Sequence, residues 1–363
     1  MTGRGASPRR GPCRRVALGA ALAAMLCATT ASAFEIGFYD HGAGRLCALA
    51  QAGVSLVLMY LHPEDDARTL LDEAARCRVR LGLQVQTRLA PDRDDLAGAE
   101  ALVREQRRHP ALAAWHFDEP ELHYPLKRVT GWLKRLRALD PDHPVLLVFG
   151  GTERANAFAA LGDVVGLDYY PVRRQAPLSG LLETVIPFTD RLLAWARTPR
   201  RPAYYVVQSF SWSDFPDYPG CRFPTLPELR YLAYSPIVSG VDGVVFWTRY
   251  RTPEPKWRDV VEPVVRELAA VRPSLERNRE GRVSSFGSVR ARSLPDGLTI
   301  AVNDAPRPVA TVRVAGPVDA THADVVGEGR RLPAISGAVV DAFAPYGVHV
   351  YRFCGGRGRP CRP

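Results

Sequence analysis

The sequence predicts an α/β protein, a (β/α)8 TIM barrel followed by a small C-terminal all-β sandwich. Three observations carry this. Apolar strand-like runs alternate with helical stretches eight times within 34–275. Polar and aromatic residues gather where those runs end. After Pro273 the pattern changes to short alternating runs between Pro, Gly and Asp turns. With 363 residues, 46% of them hydrophobic, the chain can bury one large core and a small one.

Residues 1–33 read as a signal peptide. Arg4, Arg9, Arg10, Arg14 and Arg15 form a positive start, 16–30 is apolar, and Ala31-Ser32-Ala33 offers an Ala-x-Ala cleavage site. The expected location is therefore secreted or periplasmic. The apolar run is shorter than the ~20 residues of a membrane span and nothing later reaches that length, so no membrane span is expected. Removing five arginines and no acid takes the net charge from +10 to +5. The basic residues are almost all arginine, with lysine only at 127, 134 and 256, and they are scattered. A nucleic-acid partner is not expected from such a distribution, and the composition sets no oligomeric state.

Five cysteines remain after cleavage, Cys47, Cys77, Cys221, Cys354 and Cys361. Cys47 with Cys77 would join two neighbouring helices and Cys354 with Cys361 would clip the tail, with buried free thiols as the alternative. No Cys-x-x-Cys or Cys/His spacing suggests zinc, and neither a metal nor a cofactor is expected.

Strand one, 35–39, ends on Asp40 and His41, and 45–53 is a helix closed by a glycine cap. Strand two, 54–61, is nearly continuously apolar, as a strand buried on both faces is, and carries Tyr60. Helix 65–78 has Ala67, Leu70, Leu71 and Ala74 at helical spacing. Strand three, 80–86, ends with Gln84 and Gln86, and helix 92–108 leads to strand four. That strand's apolar run, 111–114, continues into Trp115-His116-Phe117-Asp118-Glu119-Pro120-Glu121. Helix 125–139, strand 145–149, short helix 155–161 and strand 164–167 follow, the last ending on Asp168-Tyr169-Tyr170-Pro171. Helix 178–196 precedes strand seven, 203–207, which ends Gln208-Ser209-Phe210-Ser211-Trp212. Helix 226–239 and strand eight, 241–246, deliver Trp247, Thr248, Arg249 and Tyr250, and helix 260–271 closes the barrel. The sandwich spans 281–353, with strands at 288–292, 298–303, 310–314 and 348–353, and 354–363 is an Arg/Gly/Pro tail expected to be disordered.

Barrel strands end on one rim, so the end residues would share a pocket. Two carboxylates at one strand end suit glycosidic bond cleavage, which needs one carboxyl protonated to donate to the leaving oxygen and another ionised to attack or to activate water. Glu119 is the better acid, because Trp115 and Phe117 can desolvate it and Asp118 opposes a second charge. The competing reading is that Asp118 or Glu119 caps the segment after Pro120 or pairs with an arginine. Tyr60, Tyr169, Tyr170, Trp212, Trp247 and Tyr250 are the candidate sugar-facing aromatics, against core packing. Asp40, His62, Gln86, His116 and Arg249 are the polar candidates, and His116 shares the strand face of Asp118 two residues on.

The stretch from His109-Pro110-Ala111-Leu112 through Trp115 to Asp118-Glu119-Pro120 resembles the strand-four signature of clan A glycoside hydrolases, above all secreted bacterial members with Asp-Glu-Pro. Asp168-Tyr169-Tyr170-Pro171 is similar to their strand-six end, Trp247 to the clan's platform tryptophan, and 344–351 to the C-terminal sandwich of many glycosidases. The resemblance implies a carbohydrate substrate, Glu119 as acid/base, and Asp118 where the clan's asparagine contacts the sugar 2-hydroxyl. It also implies a nucleophilic glutamate at strand seven, where this chain has Gln208 and no acid between Arg201 and Ser213. Three accounts stay open. Asp168 could be base or nucleophile; Asp118 could orient an N-acetyl group that attacks its own anomeric carbon, with Tyr169 and Gln208 assisting; or the barrel binds sugar, or serves polysaccharide export or biosynthesis, without cutting.

Overall fold

The computed structural model describes residues 33–62, 65–89, 95–173, 182–278 and 280–355. The expected signal peptide before Ala33, the tail from 356 and the helix start at 178–181 lie outside the described residues.

Eight parallel strands pair in sequence order: β1 (Glu35–His41), β2 (Leu56–Tyr60), β3 (Arg80–Gln84), β4 (Leu112–Asp118), β5 (Val145–Phe149), β6 (Val164–Asp168), β7 (Ala203–Gln208) and β8 (Gly243–Trp247). Pairing of β8 with β1 closes the barrel. The helices are α1 (Leu46–Ala52), α2 (Ala67–Cys77), α3 (Leu96–Gln106), the short α4 (Pro120–His123), α5 (Leu126–Leu139), α6 (Ala155–Ala159), α7 (Val185–Ala196), α8 (Leu226–Ser239), a three-residue α9 (Glu254–Lys256) and α10 (Glu262–Arg277).

Local chemistry sets the boundaries. Gly53 ends α1 with φ 107°, a left-handed conformation that glycine adopts without strain. Asp66 caps α2 by accepting from the Arg68 N–H, and Thr225 with Glu228 forms a reciprocal capping box on α8. The expected Cys47–Cys77 disulfide joins α1 to α2. Cys354 is also disulfide-bonded, Cys221 is free, and Cys361 lies outside the described residues.

Alternation along each strand divides the core. Ile36 and Phe38 face the helices, whereas Tyr39 points inward with Leu58, Ala114, Leu146, Val148, Tyr204, Val206 and Val245. Glycines make room for these bulky neighbours. A Cβ at Gly82 would stand 2.7 Å from Leu58 Cδ2, so an alanine there would push against the packed interior.

The eight antiparallel strands β9 (Arg282–Phe286), β10 (Val289–Ser293), β11 (Leu298–Asn303), β12 (Val309–Ala315), β13 (His322–Val325), β14 (Arg330–Pro333), β15 (Ala338–Phe343) and β16 (Val348–Cys354) follow. Six form a sheet in the order β14-β13-β16-β11-β10-β9, and β12 with β15 makes a second sheet over it. The outer face of the larger sheet, with Ile300, Val302 and Val350, joins the barrel's core through α8. That helix is buried nearly all round because β7 and β8 lie on one side and β11 and β16 on the other. Arg292 Nη1 donates to Ile237 O at 2.9 Å, and the Tyr231 hydroxyl donates to Asp304, fixing the two parts together.

Candidate active site

Asp118 is the last residue of β4, and the chain then turns at once. Glu119 has φ 45° and ψ 44°, the left-handed region that costs a non-glycine residue about 1 kcal/mol or more. Its N–H donates to Val148 O at 2.8 Å, and the side chain swings over the end of β5. A Cβ at Gly150 would lie only 2.5 Å from Glu119 Oε1, so the absence of a side chain there is what admits the carboxyl. Glu121, on α4, has no exposed surface; its Oε1 accepts from the Gly150 N–H at 2.9 Å and its Oε2 has no partner.

The Asp118 carboxylate is gripped by neutral hydroxyls. Tyr60 donates to Oδ2 at 2.7 Å and Tyr39 to Oδ1 at 2.9 Å. Gln86 brackets the Asp118 backbone, its Oε1 accepting from the N–H at 2.9 Å and its Nε2 donating to the carbonyl at 2.8 Å. Trp247 Nε1 donates to the Tyr60 hydroxyl at 2.9 Å, so β8 braces β2. His116 is fully buried, with Nε2 3.1 Å from the Tyr39 hydroxyl. Because Tyr39 gives its proton to Asp118, the contact assigns the Nε2–H tautomer to His116, leaving Nδ1 as an acceptor without a partner. Burial pushes the imidazole down to about 4 against the pull of Asp118, so it is neutral at neutral pH.

Electrostatics joins four carboxyls across β4, α4 and β6. Burial, then Asp118, then Glu121 raise Glu119 to about 7. Asp168, at the end of β6, is raised well above the usual carboxylate range by burial and then by Glu119, Asp118 and Glu121, with Tyr170 opposing through a hydrogen bond. Burial raises Glu121 as well, against hydrogen bonds from the backbone. Among the described residues no lysine or arginine forms an ion pair with any of the four. Arg154 eases Glu121 from a distance, but with no ion pair at any of the four, burial and mutual repulsion keep protons on the cluster near neutrality.

Aromatic side chains wall the mouth. Trp247 lies 4.6 Å from Phe210, 5.8 Å from Tyr170, 6.0 Å from Phe215 and 6.2 Å from Tyr250, centroid to centroid. Trp212 Nε1 donates to Tyr170 O at 3.2 Å, extending the wall. His41 and His62 pack ring against ring beside Tyr250.

Four expected residues are turned elsewhere. Asp40 is engaged by Arg45 and the His41 N–H. Tyr169, on the opposite strand face from Asp168 and Tyr170, stacks on Phe188 of α7 at 4.0 Å and contacts Thr184 through its hydroxyl at 2.6 Å. Arg249 pairs with Glu254 and lies 4.6 Å over the Trp257 ring. Gln208 is fully buried, and its amide exchanges two hydrogen bonds of 2.8 Å with the Val172 backbone. Its place at the strand end serves the fold, because a buried amide is held where backbone groups satisfy both its ends. Conversely, Tyr39, Glu121 and Gly150 are part of the site and were not singled out from the sequence. Tyr39 shares the inward parity of β1, and Glu121 belongs to the same acidic stretch, but neither carries a signal of its own. The one group of possible metal-ligating side chains among the described residues, His322, Asp324 and Cys354, is in the β-module, where Cys354 is disulfide-bonded.

No family model matches the chain and no curated protein matches it significantly. Solved structures do. A glycoside hydrolase family 5 protein from Bacteroides vulgatus ATCC 8482 is 13% identical with a TM-score of 0.60, covering 88% of this chain and 88% of that one. This chain shares that protein's fold, its barrel being a closed ring of eight parallel strands. A putative α-galactosidase/melibiase from Bacteroides fragilis NCTC 9343 is 13% identical with a TM-score of 0.60, covering 88% and 79% of the two chains. The α-galactosidase I of Mortierella vinacea is 11% identical with a TM-score of 0.54, covering 90% and 98%. At these identities the likeness is one of fold. Such barrels carry their chemistry at the C-terminal ends of the strands, where this glycoside-hydrolase-like barrel places Asp118, Glu119 and Asp168.

Proposed function

We propose that the protein is a secreted glycoside hydrolase that cleaves a polysaccharide or oligosaccharide, with Glu119 as the proton donor. The observation that carries this reading is Glu119 set at an aromatic-walled barrel mouth with Asp118, Glu121 and Asp168, where burial and neighbouring charge raise its carboxyl to about 7. Glu119 protonates the leaving oxygen. Asp118, fixed by Tyr39, Tyr60 and Gln86, faces the positive charge that develops at the anomeric carbon. The charges of Asp118 and Glu121 oppose ionisation of Glu119 and so keep the acid loaded. Since β7 supplies Gln208 and no carboxylate, the second carboxylate is Asp118 or Asp168, and the anomeric configuration of the first product tells attack from base catalysis.

Secretion rests on the 1–33 segment and is supported by the Cys47–Cys77 disulfide, a bond that persists in oxidising compartments. Cell fractionation with and without 1–33 tests it.

Release of reducing ends from a panel of polysaccharides tests the activity. Glu119→Gln is expected to lower the rate by about 10²–10⁴-fold, the range of a lost general acid, while binding survives. Wild-type protein that binds a glycan and releases nothing would replace the enzyme by a silent carbohydrate-binding or polysaccharide-export barrel. The engagement of Gln208 by backbone favours that second reading.

A further inference from the structure

The charge of the barrel mouth narrows the sugar, and the inference rests on the carbohydrate reading just given. The chain has 48 lysines and arginines against 38 acids, and several of its other carboxylates with little exposed surface have found them. Glu35 pairs with Arg80, Asp40 with Arg45, Asp242 with Arg200 and Glu267 with Arg230. Asp118, Glu119, Glu121 and Asp168 form no such pair among the described residues, although arginines come close to the mouth. Those arginines are turned onto aromatic rings, Arg251 lying 4.6 Å over Phe215, Arg173 5.3 Å over Trp212 and Arg249 4.6 Å over Trp257.

Two further observations point to a ligand. Glu121 Oε2 is buried and has no hydrogen-bond partner among the described residues, and a buried acceptor in that state calls for a donor beyond them. The donors that do reach the carboxylates, Tyr39 and Tyr60 on Asp118, the Gly150 N–H on Glu121 and Tyr170 on Asp168, are all neutral. Nothing among them would hold a uronate or sulfated sugar, and four carboxyls would repel it. A cation would be drawn in, and the Trp247, Tyr60 and Tyr250 rings would receive both the C–H face of a pyranose and a cation.

We infer that the mouth takes an amino sugar, a hexosamine whose free ammonium faces Asp118 and Asp168, and that the substrate is a partly or wholly N-deacetylated hexosamine chain. Glu119 stays with the leaving oxygen. An ammonium beside the cluster favours its ionised form, so binding at neutral pH releases a proton that an N-acetylated sugar would not displace.

Calorimetry on the Glu119→Gln protein tests this with β-1,4- and β-1,6-linked glucosamine pentamers, their N-acetylated counterparts and a neutral glucose pentamer, at about pH 6. The deacetylated oligomer of one linkage is expected to bind about tenfold or more tightly than its N-acetylated form, as one charge-assisted contact implies. The advantage should shrink in high salt and in Asp168→Asn. Buffers of different ionisation enthalpy should report proton release with the wild-type Asp168 in place, which keeps the test independent of how Asp168→Asn folds. Equal or tighter binding of N-acetylated or neutral oligomers overturns the inference. If no hexosamine binds but a neutral glycan is cut in a Glu119-dependent way, this inference falls and the hydrolase reading stands. If no glycan is bound or cut, both fall.

Discussion

Two acidic clusters in this molecule are built from the same residue types and behave oppositely. In the β-module, Glu328 accepts from Arg330 at 2.7 Å and contacts His349, and Asp341 accepts from Arg330 at 2.9 Å and from the Tyr351 hydroxyl at 3.0 Å. Burial works against these charges, yet hydrogen bonds from His349 and Arg330 outweigh it, and both carboxyls fall below their ordinary range. At the barrel mouth the burial is similar in kind, the hydroxyl donors are similar, and among the described residues no guanidinium pairs with the carboxyls. There Glu119 and Asp168 rise. A carboxylate reached by a guanidinium becomes structure, and one denied it becomes available for proton chemistry.

The largest expected effect separates the clusters by activity. Glu119→Gln should cost about 10²–10⁴-fold in rate, and Glu328→Gln should leave the rate unchanged in the same assay. A comparable loss from Glu328→Gln would break the contrast. Gln208→Glu adds another carboxylate without a cation, facing the carbonyls of Val172 and Phe210 where an amide now donates. It should destabilise by about 2–4 kcal/mol in denaturant melts and confer no new hydrolysis. Gly150→Ala puts a methyl where Glu119 Oε1 lies, and should lower turnover by about 10–100-fold while circular dichroism stays unchanged.

Stability should divide the clusters by pH. Glu119 has its folded value at about 7, above 4.5 for the unfolded chain, so the native state binds the extra proton in that window. Stability falls as pH rises through it, and Glu119→Gln should be more stable than wild type at about pH 8, by roughly 1–3 kcal/mol, and equal to it at about pH 4. Glu328 and Asp341 are depressed, so their contribution is present above the unfolded value and is lost as pH falls through the folded one. Asp341→Asn should therefore flatten the acid limb, with a loss of about 1–2 kcal/mol at neutral pH because Arg330 is partly exposed.

The barrel was legible in the sequence because strands buried on both faces are continuous apolar runs that stop abruptly on glycine or polar residues, as 145–149 and 164–167 do. The β-module was half legible. Leu298–Asn303 and Val348–Cys354 are central and apolar, whereas Arg282–Phe286 and Arg330–Pro333 are edge strands, largely exposed, with little alternation to read. At the site, strand ends delivered Asp118, Glu119 and Asp168, but the face each neighbour takes was not visible. In Tyr169-Tyr170 one ring goes outward to α7 and the other into the mouth. Gln208 occupies the expected position and is claimed by backbone, which no local pattern announces. The expected signal peptide, and Cys361 of the expected tail clip, fall outside the described residues.

Proton occupancy at Glu119 is the most direct test of the contrast between the clusters. Carbon-13 NMR titration of the glutamate side-chain carboxyls, with Glu119 assigned by its loss in Glu119→Gln, reads it in the intact protein. A midpoint near 7 in wild type, falling in Asp118→Asn, is the expected result. A midpoint near 4.5, unmoved by Asp118→Asn, would contradict it and return Glu119 to the ordinary surface carboxylates.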